Sequence, residues 1–245
     1  KIDSERSNLA PTGDIDISDN TLPAGVNPLK FDVSSFVNGG NVAVPANQTP
    51  EKLATNIVYK DMTTSAIDTS VDGPNGQYFT ITLKDGNGNA LSNKNVQFGF
   101  NGKIYDKETD DKGIAKLQIN LKRADIYTFA VSFLGDDTYN ASFAVAKITV
   151  NKQKASLTVP AKSFKASAKT KTITATFKSS KGNPIAGKKI TFTVNGKSYS
   201  ATTDAKGVAK VNVSLNKKGT YNITAKYAGD NTYATISKTA KLTLT

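Results

Sequence analysis

Apolar and polar residues alternate through most of the chain beyond residue 78. Ile173, Ala175 and Phe177 are spaced by Thr and Lys, and Ile190, Phe192 and Val194 repeat the spacing. Val211, Val213 and Leu215 follow, then Tyr221, Ile223, Ala225 and Tyr227, and Ala240, Leu242 and Leu244 close the series. A period of two marks a strand that covers a core with one face. Turn residues punctuate the runs. Asn195-Gly196 suits a two-residue type I′ hairpin, whose central positions both need positive φ. Asp204-Ala205-Lys206-Gly207 reads as a second tight turn with Gly in last place. About seven strands at intervals of roughly 8–12 residues predict an antiparallel β-sandwich, and no helical period interrupts them.

The pattern occurs twice. Residues 79–151 moved forward by 94 fall on 173–245: Asn101-Gly102-Lys103 meets Asn195-Gly196-Lys197, and Thr109-Asp110 meets Thr203-Asp204. Tyr127 meets Tyr221, and Gly135-Asp136 with Thr138-Tyr139 meets Gly229-Asp230 with Thr232-Tyr233. The spacing predicts a repeat of 94 residues with no insertion or deletion. Such a unit is long enough to close its own core, unlike a solenoid repeat of about 20–50 residues. The expected organisation is all-β: an N-terminal arm over 1–55, one β-sandwich over 56–151 and a second over 152–245. The arm is broken by Pro23, Gly25, Pro28 and Gly39-Gly40 and is too small and polar for its own core. Its strand-like stretches carry Phe31, Val33, Val37, Val42 and Val44, which predict addition of a strand to an open sheet edge, in the same molecule or the next. The junction around Asn151-Lys152-Gln153-Lys154 has no Gly or Pro and predicts an end-to-end arrangement.

Composition narrows the chemistry. With no Cys and no His, the chain lacks thiolates, disulfides, the commonest general base and the commonest zinc ligand. Neither a catalytic residue nor a cofactor is expected. Ser and Thr number 48 and Asn 22, the profile of a secreted β protein with hydroxyl-rich outer faces. No apolar run reaches the ~18–20 residues of a membrane helix, and Lys1 in first place reads as the start of a mature or excised fragment. Residues 152–245 hold 18 Lys against Asp204 and Asp230 alone, a balance of +16 within a chain of +12. These lysines are spread over every strand without Arg or an aromatic cluster, so they read as a solvated face and not as a nucleic-acid site. An acidic wall polymer or a neighbouring molecule is the alternative partner.

A family resemblance rests on spaced motifs present in both copies. Lys181-Gly182-Asn183-Pro184-Ile185-Ala186-Gly187-Lys188-Lys189-Ile190-Thr191-Phe192-Thr193-Val194-Asn195-Gly196 comes first, followed by Thr203-Asp204-Ala205-Lys206-Gly207-Val208-Ala209. Gly219-Thr220-Tyr221 and Tyr227-Ala228-Gly229-Asp230-Asn231-Thr232-Tyr233 complete the set. Together they resemble the bacterial Ig-like (Big) domains of adhesins, above all the repeats of adhesin-like surface proteins of methanogenic archaea. The resemblance covers roughly residues 56–245 and implies a non-enzymatic stalk or spacer at the cell surface, with a cell-wall or host ligand unspecified. Two other readings stay open: a pilus-like filament subunit joined head to tail by N-terminal strand addition, and a carbohydrate- or wall-binding accessory module.

Tyr127 and Tyr221 stand where Ig-type sandwiches place a tyrosine corner, two residues before an inward position. Asp85, Asn87 and Asn89 space oxygen ligands as a calcium loop would, but the aligned Ser179–Asn183 has no carboxylate and a polar hairpin turn is the plainer reading. Asn47, Asn140, Asn212 and Asn222 begin glycosylation sequons, and parity turns Asn212 and Asn222 outward. Lys60 and Asn151, with Glu108 or Asp125, are candidates for an intramolecular crosslink that would need a buried carboxylate.

Overall fold

A computed structural model describes residues 51–245. They form two antiparallel sandwiches and a single helical turn. The first holds β1 (Thr55–Tyr59), β2 (Met62–Ser65), α1 (Thr69–Asp72), β3 (Tyr78–Asp85), β4 (Asn95–Phe100), β5 (Lys103–Glu108), β6 (Ile114–Gln118), β7 (Asp125–Phe133) and β8 (Ser142–Asn151). The second holds β9 (Ala155–Thr158), β10 (Lys162–Phe164), β11 (Thr172–Ser179), β12 (Lys189–Val194), β13 (Lys197–Thr202), β14 (Val208–Asn212), β15 (Gly219–Tyr227) and β16 (Ile236–Leu244).

In each sandwich a three-stranded sheet packs on a five-stranded one. The first pairs β1-β3-β6 with β2-β8-β7-β4-β5, and the second pairs β9-β11-β14 with β10-β16-β15-β12-β13. The chain crosses between sheets directly after its first strand, so β2 and β10 run parallel to β8 and β16. Inward positions fill the space between sheets. Leu83, Val96, Phe98, Phe129 and Ile148 pack in the first core, and Ile173, Phe177, Ile190, Phe192 and Ile223 in the second. The buried Thr109 hydroxyl donates to the Leu91 carbonyl, and Thr203 repeats the bond to Ile185, which accounts for the Thr-Asp motif at both places.

The register corrects the gapless repeat. Thr55 faces Asp85 and Ala155 faces Ser179, while Met62 faces Ile148 and Lys162 faces Leu242. The first two strands are thus related by an offset of 100 and every later strand by 94. Six extra residues therefore lie between β2 and β3 of the first sandwich, and α1 is built from that longer loop. Sequence alignment anchored at residue 79 could not see them. Pairing also begins upstream of Asn56, because Leu53 bridges Tyr139 as Gln153 bridges Tyr233.

Both turns with Gly last have the same steric demand. Gly207 has φ 72°, and a Cβ there would sit 2.4 Å from the Phe177 carbonyl oxygen; at Gly113 the contact with Leu83 would be 2.7 Å. Gly196 has φ 74° but open space around it. Both substitutions meet the backbone penalty, and only the former adds a clash with rigid backbone. Gly207→Ala is expected to cost about 1–3 kcal/mol more than Gly196→Ala in urea unfolding. Equal losses would show that the close approach carries no energy.

Candidate functional site at the sandwich joint

The extra loop of the first sandwich ends inside the second. Asp68 caps α1: its carboxylate accepts from the Ser70 N–H at 3.2 Å and the Ser70 hydroxyl at 2.6 Å, as an N-cap should. Gly73, at φ 72°, stops the helix and Pro74 prevents its continuation. This single turn carries Val71 onto the core of the second sandwich. It also carries Asp72 into a ring of donors, where its carboxylate accepts from the Ser179 hydroxyl at 2.7 Å, the Gln153 amide at 2.8 Å and the Asn183 amide at 2.9 Å.

The receiving end is held from beneath. Asp230 accepts from the N–H groups of Thr232 and Tyr233, each at 2.8 Å, and pairs with Lys188 at 2.5 Å. The Lys188 ammonium also lies over the Tyr233 ring, 5.4 Å from its centre. Gln153 is fixed by its backbone, donating to Thr232 and accepting from Ala234. A direct backbone bond then crosses the joint, from the Ala124 N–H to the Asn231 carbonyl at 2.7 Å. Tyr233 is fully buried, whereas its counterpart Tyr139 is only half-buried, and Leu53 at Gln153's place is exposed.

The electrostatics follow from burial and donors. Burial opposes the charge of Asp72, but the bonds from Ser179, Gln153 and Asn183 outweigh it, and Lys181 adds attraction, so its pKa lies below the ordinary value. Asp68 behaves likewise, with Ser70 and Lys122 overcoming burial. Burial, then the charges of Asp68 and Asp72, push the Tyr233 phenol well above its usual range. Among the described residues no group of three or more Asp, Glu, His or Cys could hold a metal ion. The bonds of this site join the first sandwich to the second.

Comparison with known proteins agrees with the motif reading for the second sandwich. Residues 154–242 match the bacterial Ig-like domain (group 1) family. Over 213 residues the chain is 29% identical to the inverse autotransporter adhesin YeeJ of Escherichia coli (strain K12). The match takes in 77% of the chain but spans only 9% of that curated relative. In fold the chain is similar to invasin, a bacterial integrin-binding protein (17% identity, TM-score 0.42, covering 79% of this chain and 40% of that one). It is also similar to InvD of Yersinia pseudotuberculosis (21% identity, TM-score 0.32, covering 79% and 57%).

The residues singled out in the sequence are dispersed. The hydroxyls of Tyr127 and Tyr221 donate to the carbonyls of Arg123 and Lys217, both at 2.8 Å, from half-buried rings. Asp85 accepts from the Asn87 and Asn89 N–H groups and from the Asn89 amide. These bonds, the Asn89 amide first, lower its pKa and spend its oxygens on the turn. Asn140, Asn212 and Asn222 are exposed. Their side chains contact the Lys52 carbonyl, the Thr172 hydroxyl and the Lys241 ammonium respectively. Lys60, Asn151, Glu108 and Asp125 are all exposed, so the buried carboxylate that a crosslink needs is not among them. Asn47 and the arm residues Phe31, Val33, Val37, Val42 and Val44 lie outside the described residues. Sequence reasoning missed Asp72, Val71 and Gln153, because their partners lie across the joint. The one available signal was Asp-Thr-Ser-Val-Asp-Gly-Pro at 68–74, a capped turn with a stop.

Asp72→Ala leaves three donors facing one another and is expected to cost about 1–3 kcal/mol in urea unfolding at neutral pH. Because the folded pKa is depressed, the carboxylate's contribution is complete above the unfolded value of 3.8 and is lost as pH falls through its lower folded value. The difference between native chain and variant should therefore shrink below about pH 4. A variant as stable as the native chain at pH 7 would remove Asp72 from the joint's energetics.

Proposed function

We propose that the two sandwiches form a stiff spacer in a non-enzymatic, adhesin-like protein exposed at the cell surface. The carrying observation is the joint, where a helical turn of one sandwich is pinned by three hydrogen bonds to its carboxylate in the next. Tandem domains joined only by a linker move relative to one another by default. A spacer that must project another part of the protein gains reach from suppressing that motion. The likeness to an adhesin over most of the chain and the lack of His and Cys support the same reading. The finer likeness to repeats of methanogen surface proteins belongs to the proposal as well, on the paired motifs in both copies.

The absence of native Cys makes spin labelling clean. Lys116→Cys and Lys210→Cys place labels on exposed, outward positions of β6 and β14. Electron–electron distance measurements on the labelled full chain should give one narrow distribution, broadened by Asp72→Ala. A broad distribution in the parent, or no response to Asp72→Ala, would defeat the spacer reading.

A further inference from the structure

The five-stranded sheet of the first sandwich presents an apolar outer face where its counterpart is hydroxylic. One row across the strands reads Ile104, Gly99, Ala130 and Val145. Ile104 is 64% exposed, Val145 47%, and Phe143, in the adjoining row, 67%. The same row of the second sandwich reads Ser198, Thr193, Thr224 and Thr239, with Ser237 in Phe143's place. Strand pairing is the same in both, so the fold requires neither composition.

Gly99 sharpens the contrast. Its φ lies outside the left-handed region, and a Cβ there would meet only Ala130, at an ordinary 3.6 Å or more. A mid-strand glycine weakens the strand, and it often marks close approach by another chain. Nothing within the sandwich asks for it. With Ala130 it floors a shallow, open groove bordered by Ile104 and Val145, with Asn101 and Thr128 at its end.

We propose that a second copy of this chain packs two-fold on this face, each copy seating Phe143 in the Gly99–Ala130 groove of the other. Three observations favour a second copy. Knob and groove lie on one face, as an isologous contact requires. Ile104, Phe143 and Val145 expose roughly 350–400 Å², the size of a functional apolar patch and close to the apolar share of the ~800 Å² per partner of a standard interface. The face also carries both signs of charge, Asp106 on β5 and Lys147 on β8, whereas the second sandwich has Lys226 and Lys241 opposite Ser200. Two copies of the second face would repel; two of the first would not. This pairing is lateral and does not rest on the spacer reading.

The test is sedimentation velocity on the full chain at tens of micromolar. The native chain should dimerise. Two variants borrow the second sandwich's own residues, Gly99→Thr alone and Ile104→Ser with Phe143→Ser and Val145→Thr. Each should weaken the dimer about tenfold or more with thermal unfolding unchanged or raised. Val58→Thr, at an exposed apolar residue of the other sheet, should leave the dimer intact. A monomeric native chain, variants that dimerise like it, or a dimer equally sensitive to Val58→Thr would each overturn the proposal. The first of these outcomes would leave the face to a different partner.

Discussion

Two sheets that press one apolar face each against the other hold each sandwich together, and every other feature is arranged around that contact. With no cysteine in the chain, burial has to supply the stability. Each inward Phe, Ile, Leu or Val contributes about 1.5–3 kcal/mol relative to exposure, against the entropy of ordering the chain. This constraint acts on alternate residues only. Outward positions and loops between strands are left free, and the two copies differ most there: threonines against apolar residues on the large sheet, and a six-residue longer loop ahead of β3.

The division also decides what could be read in advance. Inward alternation such as Ile173-Ala175-Phe177 is a local pattern, and so is Asn195-Gly196, whose φ values of 50° and 74° are those of the type I′ turn its residues suggest. These features were legible because cause and consequence lie within a few residues. The switch of sheets after β1 and the parallel pairing of β2 with β8 were not, since Lys60 and Asp61 give no local sign of which sheet follows. The helical turn was hidden because one turn has no period to detect. Asp72 has no partner for its carboxylate among its sequence neighbours. What it does depends on Ser179 and Asn183, more than a hundred residues away, and no local rule reaches that far.

The joint also shows why neutral donors suit a carboxylate that must be partly buried. A buried ion pair requires desolvating two charges, and the attraction often fails to repay it. Hydroxyl and amide groups desolvate at lower cost and still give charge-assisted bonds, which are stronger than neutral ones. The excess of lysine in residues 152–245 favours an incoming anion, but screening over about 8 Å at physiological salt limits that pull. Orientation comes from the three short bonds. Beside them Lys122, itself 60% exposed, pairs with the buried Asp68 carboxylate at 2.9 Å.

The two sandwiches are consequently not interchangeable, although they share a fold. At the receiving end of the second, the Ser179 hydroxyl accepts from the backbone N–H groups of Lys181 and Asn183 and donates its proton to Asp72. In the first sandwich the same position is Asp85, which accepts from the equivalent turn with its carboxylate. Ser179 has a proton to give; ionised Asp85 has none. A carboxylate like that of Asp72 would meet repulsion there in place of a hydrogen bond. Leu53 likewise stands in the place of the donor Gln153, so two of the three side chains that hold Asp72 have no donating counterpart in the first sandwich. The outer faces differ in the same spirit, with Ile104, Phe143 and Val145 on one where the other has Ser198, Ser237 and Thr239. In both cases the inward pattern that builds the sandwich is unchanged.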